Sequence, residues 1–157
     1  MRNTLTIENA KIAFRNFSGK EGKFNPAGRR NFCLFLENDL ASKMEKDGWN
    51  IKTLVPKNDD DEPQKYVQVT VAFGKIPPKI VLITHSGKTM LDEDTVNILD
   101  WAEIENVDLM INPSEWEVGG KKGIKAYLKS MYITIVEDEL EEKYRTVPDS
   151  AKNTIIE

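Results

Sequence analysis

The sequence has very little cysteine and histidine, and it has no long apolar segment. Cys33 is the only cysteine and His85 the only histidine among 157 residues. A single cysteine excludes an internal disulfide, and one cysteine with one histidine is too few for a structural zinc site. No apolar run approaches the length of a membrane span, and the first residues contain no signal-peptide core. We therefore expect a cytoplasmic protein with no metal or other cofactor.

The motifs of common enzyme classes are missing as well. The sequence contains no complete phosphate-binding glycine loop, no nucleophile elbow and no HExxH motif. Gly87-Lys88-Thr89 resembles the end of a phosphate loop, but the first glycine of that loop is absent at the required spacing. The acidic run 59–62 lacks the alternating ligands and the glycine of a calcium loop. These absences favour binding over catalysis.

The charge of the chain is strongly segregated, although its net value is only −4. Residues 11–30, the first basic segment, carry six basic residues against one acidic residue. Residues 119–129, the second basic segment, carry four lysines and no acid. Acidic residues cluster at 59–62 and at 137–142 instead. The local charge decides what a surface attracts, so this pattern predicts a charged partner.

Short strands with turn residues between them dominate the sequence. Apolar residues alternate in segments 3–17 and 66–73 and in the first half of 124–136, whereas segments 29–36 and 79–84 contain continuous apolar runs, and 49–55 and 107–111 are further strand candidates. In segment 3–17 the apolar parity changes near Glu8-Asn9, which predicts a bend or bulge there. Strands do not alternate with helices, so a parallel α/β sheet is excluded. We predict a mainly β fold, an antiparallel OB-like barrel with elaborated loops and one or two short helices.

Two short helices are predicted. The first runs from about Leu40 to Lys46, with Asn38 or Asp39 as its cap and Gly48 after its end. The second spans residues 91–101. Pro113 is expected to end the strand at 107–111, and Trp116 is expected to lie in the core. Residues 1–136 form the predicted domain, and residues 137–157 form an acidic tail, which we expect to be mobile.

The second basic segment leads into a strand whose two faces differ. Ile124, Ala126 and Leu128 alternate with Lys125, Tyr127 and Lys129, so one face is apolar and the other carries two cations around a ring. In the first segment, Phe17 has the same parity as Arg15. Such surfaces suit polynucleotides, because phosphates attract cations and bases stack on rings. The simpler interpretation is a solvated face, and a loop residue such as Phe24 can equally plug the space beneath its loop.

The candidate polynucleotide-binding residues follow from these two segments. The predicted phosphate contacts are Arg15, Lys20, Lys23, Arg29, Arg30, Lys121, Lys122, Lys125 and Lys129, and the predicted stacking rings are Phe17, Phe24 and Tyr127. No catalytic residue and no metal ligand is predicted.

Several stretches of the chain resemble the phage and prophage single-stranded DNA-binding proteins of OB fold. The resemblance is carried by Phe14-Arg15-Asn16-Phe17-Ser18-Gly19, Gly22-Lys23-Phe24-Asn25, Gly28-Arg29-Arg30-Asn31-Phe32, Asp47-Gly48-Trp49-Asn50-Ile51-Lys52 and Gly123-Ile124-Lys125-Ala126-Tyr127-Leu128. It implies non-catalytic, largely sequence-independent binding of single-stranded DNA during replication or recombination in a bacterial host. It also makes replication or recombination proteins candidate partners of the acidic tail, although the last residues, Thr154-Ile155-Ile156-Glu157, differ from the usual acidic tip.

Two alternative functions and the oligomeric state stay open at this point. The basic face could bind an acidic protein in a β-rich interaction module, for instance a virion or regulatory protein. A barrel of the same kind could bind RNA, since no residue visibly reads a 2′-hydroxyl group. The oligomeric state is also undetermined, because exposed strand edges can pair between copies.

Overall fold

The computed structural model of the chain describes residues 4–22, 27–55, 62–74 and 76–136. In these residues one sheet contains nine strands: β1 Leu5–Ile7, β2 Ile12–Asn16, β3 Arg30–Leu36, β4 Ile51–Leu54, β5 Gln64–Val71, β6 Lys79–Thr84, β7 Gly87–Leu91, β8 Ile104–Val118 and β9 Lys121–Ile135. Helix α1, Asn38–Asp47, follows β3, and a 3-10 helix, Val96–Asp100, precedes β8. The prediction of a mainly β fold with short helices is therefore confirmed.

The sheet is mixed, and β9 is its organising strand. The strand order is β1-β8-β9-β5-β3-β2, with β4 paired to β5 and the β6–β7 hairpin paired to β9. Strand β9 is antiparallel to β8 along most of its length. On its other side it pairs in parallel with β5 near its start and with β6 near its end. The prediction of an antiparallel sheet was wrong in this respect, because alternation along single strands does not reveal which strands become neighbours.

The predicted break near Glu8-Asn9 separates β1 from β2. Asn9 has a positive φ of 52°, a conformation that asparagine tolerates better than most residues. The Asp108 carboxylate accepts a hydrogen bond of 2.9 Å from the Asn9 backbone N–H. The link then contacts β8 and β3, the second strand from each end of the order, because Ala10 N donates to Val107 O and Phe35 N donates to Lys11 O. A four-residue bend thus joins the first and the last strand of the order.

One face of the sheet packs on the hydrophobic core, and we call the opposite face the outer face. The inward side chains alternate along each strand as period-2 patterning requires. They include Phe32, Leu34 and Leu36 on β3, Val67, Val69 and Val71 on β5, and Ile124, Ala126, Leu128, Met131 and Ile133 on β9. The inward residues of β9 have even numbers before Lys129 and odd numbers after it, because the β8–β9 register shifts at a bulge there.

Phe17 is part of this core, so its predicted stacking role was wrong. Its side chain is 0% exposed, and its ring stacks on Phe32 with the ring centroids 5.4 Å apart. The β2–β3 register shifts between Ala13 and Asn16, and this irregularity changes which side chains point inward. Phe14, with a positive φ of 50°, is consequently 64% exposed. Strict alternation from Ile12 onward would direct Phe14 inward and Phe17 outward, and the structure shows the reverse because of the bulge.

The β8–β9 hairpin is much longer than predicted. Each strand has 15 residues, and Gly119 and Gly120 form the turn with positive φ values of 57° and 83°. Pro113 does not end β8, because β1 pairs only as far as Ile111 and β8 is an edge strand beyond that point. Trp116, which was expected in the core, is 41% exposed and lies against Gly123 across the hairpin.

The first helix is confirmed, although its N-cap is not Asn38 or Asp39, and the second is a 3-10 helix much shorter than the predicted span of 91–101. Helix α1 follows Glu37, its N-cap residue, and ends at Gly48, which has a φ of 107°. Leu91 belongs to β7 instead of a helix, and Asp92 then accepts hydrogen bonds from Asp94 N and Thr95 N. This local turn leaves room only for the 3-10 helix. Among the described residues, no helix has the length and apolarity needed to cross a membrane.

Candidate nucleic-acid interface

Neighbouring strands bring the two basic segments together on the outer face. Asn31 of β3 lies opposite Thr70 of β5, and Thr70 lies beside Tyr127 of β9. The end of the first basic segment is therefore separated from the centre of the second by one strand only. Sequence alone did not predict this arrangement, because it depends on the insertion of β5 between β3 and β9.

A groove of about 530 Å³ opens at this point. Four of the predicted binding residues line it: Arg29, Arg30, Lys125 and Tyr127. The other lining residues are Gly28, Asn31, Gln68, Thr70, Val71, Ala72, Phe73, Gly74 and Glu93. Three cations, two rings and several neutral polar groups thus border one concave surface, with a single carboxylate at its margin.

Lys125 and Tyr127 form the β9 side of the groove. The Lys125 ammonium lies 5.2 Å from the centroid of the Tyr127 ring, which is within cation–π range. Lys125 is exposed and Tyr127 is half-buried. A half-buried ring is held in place by its neighbours and still presents part of its surface. This pair can therefore contact a base with the ring and a phosphate with the ammonium.

Arg30 forms the opposite side and is held by three contacts. Its Nε donates to Phe17 O at 2.9 Å, its guanidinium lies 5.2 Å from the Phe73 ring centroid, and its Nη1 pairs with Glu93 at 3.4 Å. Only 18% of the Arg30 side chain is exposed. The guanidinium is therefore a fixed charge in the wall of the groove, whereas Lys125 is an exposed one.

Lys20, Lys121, Lys122 and Lys129 are exposed and do not line the groove. Lys121 and Lys122 are exposed at the start of β9, and Lys122 borders a second cavity beside Trp116. Lys129 is exposed at the β9 bulge, so it does not share the regular alternation predicted for it. Lys20 is exposed in the loop after β2, and this loop is organised by Asn16, whose side-chain oxygen accepts from Gly19 N and Lys20 N.

Arg15 has a structural role in this conformation, in contrast to its predicted phosphate contact. Its Nη1 donates to Leu99 O at 2.9 Å and to Ala102 O at 2.7 Å. These carbonyl groups belong to the end of the 3-10 helix and the residues after it, where backbone acceptors need partners. Arg15 thus connects β2 to this helix. Lys23 and Phe24 lie outside the described residues, and their predicted roles stay predictions.

Some groove residues were missed by the sequence analysis. Gln68 and Thr70 occupy the polar face of a strand that was recognised correctly, so their alternation with valines was an available signal. Phe73 follows the end of β5, and only its position beneath the Arg30 guanidinium gives it a role. No local pattern in the sequence indicates that contact.

Two further features concern chemistry other than binding. Burial raises the pKa of the Cys33 thiol, and the nearby charge of Lys52 opposes this effect less strongly. The thiol is therefore protonated at neutral pH and is a weak nucleophile. Within residues 4–22, 27–55, 62–74 and 76–136, no group of three or more histidine, cysteine, aspartate or glutamate side chains could hold a metal ion.

A basic groove with aromatic rings on a mainly β sheet is the arrangement that single-strand-binding domains use. The chain belongs to the family of putative phage ssDNA-binding domains, whose family model matches residues 1–157. The recognition made from the sequence motifs is thereby confirmed. No curated protein sequence is significantly similar to the chain.

Two solved structures of similar fold agree with this assignment. One is the single-stranded DNA-binding protein from bacteriophage Enc34 in complex with ssDNA, with a TM-score of 0.56 and 12% identity, covering 86% of this chain and 88% of the other. Another structure of the Enc34 protein has a TM-score of 0.54 and 13% identity, covering 96% of this chain and 89% of the other. At this identity, the likeness establishes a shared fold.

Proposed function

We propose that the groove between β3, β5 and β9 binds single-stranded DNA, without a preference for sequence and without catalysing a reaction. The observation that carries this proposal is the convergence of Arg29, Arg30, Lys125 and Tyr127 on one concave surface. The family supports it, and so does the fold shared with a protein that was solved in complex with ssDNA.

The lining of the groove fits a single strand better than a duplex. Stacking of a base on a ring stabilises the complex by about 1–3 kcal/mol and tolerates any base, because every base has a flat π-face. Tyr127 and Phe73 offer such rings, and the three cations can neutralise phosphates. A base paired within a duplex is stacked on its neighbours already and is not available to these side chains.

We place this activity in phage replication or recombination in the host cell, as the family suggests. The acidic segment 137–157 would recruit replication or recombination proteins, and copies of the chain would associate on the same DNA strand. Residues 137–157 lie outside the part of the chain that the structure describes.

The test is fluorescence anisotropy of labelled oligo-dT of about 30 nucleotides, at low and moderate salt, beside the matching duplex and oligo-rU. We expect strong binding of the DNA single strand that weakens with salt, and weak binding of the duplex. Equal affinity for oligo-rU would extend the proposal to RNA. Absence of any binding at low salt would contradict the proposal and favour an acidic protein as the partner of the basic surface.

Variants test the site within the same experiment. The double change Lys125→Glu with Tyr127→Ala removes one cation and one ring, so affinity should fall by about 2–4 kcal/mol while the protein stays folded. The matched control is Lys43→Glu, which makes the same charge reversal on an exposed residue of α1 outside the groove. Equal affinities of the folded double variant and the control would refute the site assignment.

A further inference from the structure

A second pair of lysine and tyrosine lies farther along β9. The Lys79 ammonium is 5.7 Å from the centroid of the Tyr132 ring. Strands β6 and β9 are parallel here, with Lys79 opposite Ser130 and Val81 opposite Tyr132. This pair repeats the chemistry of Lys125 and Tyr127, but its cation comes from a different strand. It is not part of the groove described above.

The bulge at Lys129 places both tyrosines on the outer face. Ala126 and Leu128 point to the core before the bulge, and Met131 and Ile133 point to it afterwards. Tyr127 and Tyr132 therefore both occupy outward positions, although their numbers differ in parity. A regular strand would have directed one of the two rings inward.

The spacing of the two rings suits consecutive parts of one polynucleotide. Tyr132 is five positions after Tyr127 in β9, which corresponds to about 15 Å along the strand. This distance is longer than a single nucleotide, so the two rings would contact different bases. Single-strand-binding β-barrels cover about 4–16 nucleotides, which is enough for one strand to reach both rings. The exposed Lys129 lies between the two rings, where it can neutralise the connecting phosphates.

The opposite end of the hairpin also has an exposed ring, but its charge is unsuitable for phosphates. Trp116 borders a cavity of about 470 Å³. The charged residues that line this cavity are Asp47, Glu115, Glu117 and Lys122, three acids against one base. At Tyr132, by contrast, the Lys79 ammonium lies 5.7 Å from the ring centroid, and the β8 residue opposite the ring is Asp108, whose carboxylate already accepts from Asn9 N and Asn106 Nδ2.

We infer that single-stranded DNA leaves the groove toward Tyr132, where Lys79 and Tyr132 form a second base-stacking and phosphate-binding subsite, and that it does not run toward Trp116. The inference rests on the proposed function and adds a direction to it. A short oligonucleotide fills the groove alone, whereas a longer one also reaches the second subsite.

The experiment compares oligo-dT of about 4 and about 16 nucleotides in the same anisotropy assay. Tyr132→Leu should weaken binding of the longer strand by about five- to 150-fold and leave the shorter one unchanged. Lys79→Gln removes one cation, so the slope of the logarithm of affinity against the logarithm of salt concentration should decrease by about one for the longer strand. Because Tyr132 is half-buried, a thermal unfolding measurement on its variant is needed to show that the variant is folded. Lys79 is exposed, so Lys79→Gln should fold normally.

The control variant is Trp116→Leu, which removes an exposed ring from the acidic end of the same hairpin. It should leave both affinities unchanged. The inference is overturned if Lys79→Gln leaves the salt dependence of the longer complex unchanged, or if Trp116→Leu weakens the longer complex as much as Tyr132→Leu does. Absence of binding by the unmodified protein at either length would instead overturn the proposed function, and this inference with it.

Discussion

The two basic segments have similar compositions and different roles. In the first, Phe17 is buried against Phe32 and Arg15 binds the carbonyl groups of Leu99 and Ala102. In the second, Lys125 is exposed and lies over the half-buried Tyr127. The first segment therefore contributes mostly to the fold, and only its end, at Arg29 and Arg30, reaches the groove.

Backbone register explains this difference. The second segment belongs to a hairpin whose register is regular from Val118–Lys121 as far as Ile111–Leu128, so its outward residues are those that alternation predicts. The first segment passes through the irregular β2–β3 register, and two positions with opposite expected environments are exchanged. A mixture of cations and rings in a sequence therefore indicates a binding surface only where the strand geometry is regular.

The largest expected effect is a loss of stability on substitution of Phe17, which shows that the first basic segment contributes to the fold. Phe17→Ala leaves a cavity beside Phe32 and should lower the free energy of unfolding by about 3–5 kcal/mol. Phe14→Ala is the matched control, because Phe14 is 64% exposed and its loss should change stability by less than about 0.5 kcal/mol. Urea unfolding of both variants measures the two values. Similar, small effects of the two substitutions would contradict the burial of Phe17.

The elements that sequence analysis predicted correctly are those that local patterns determine. Alternation in β5 and the first half of β9 identified their inward residues, the apolar run within 29–36 identified β3 as a strand, and Gly48 marked the end of α1. The wrong predictions depended on distant neighbours. Pro113 is tolerated because the pairing of β1 with β8 extends only as far as Ile111, and the predicted helix at 91–101 is replaced because Leu91 pairs with Ile80.

The candidate site was predictable only in part for the same reason. Lys125 and Tyr127 followed from alternation, and Arg29 and Arg30 followed from charge. Their meeting in one groove depends on the position of β5 between β3 and β9, which no short motif encodes. Phe73 and the Lys79–Tyr132 pair depend on contacts between residues far apart in sequence, so they could not be identified before the fold was known.

An intermediate effect is expected at Arg15. Arg15→Met keeps an apolar chain of similar length but removes two hydrogen bonds from a charged donor to the backbone, so stability should fall by about 1.5–3 kcal/mol. The salt dependence of ssDNA binding should stay that of the unmodified protein, because this guanidinium is engaged by Leu99 and Ala102. Thermal unfolding and anisotropy at several salt concentrations measure both. Normal stability with a weaker salt dependence would instead assign Arg15 to a phosphate contact.

The smallest effect is expected at Glu93, where a substitution should strengthen ssDNA binding, whereas the substitutions above lower stability. This carboxylate pairs with Arg30 at 3.4 Å, and the Glu93 side chain is 59% exposed. Its negative charge at the margin of the groove repels phosphates and offsets part of the charge of Arg30. Glu93→Gln should therefore strengthen ssDNA binding by up to about 1 kcal/mol, and more at low salt than at moderate salt, because exposed pairs are screened.

The matched control for Glu93 is Glu45→Gln on α1, which changes the net charge equally at an exposed residue outside the groove. A gain at Glu93 that exceeds the gain at Glu45 locates the DNA backbone near the Arg30 wall, because a general effect of net charge would act on both variants. Weaker binding by Glu93→Gln would mean that the carboxylate is needed to orient Arg30. In that case the contacts of Arg30 with Phe17 O and Phe73 would be insufficient to hold the guanidinium in the wall of the groove.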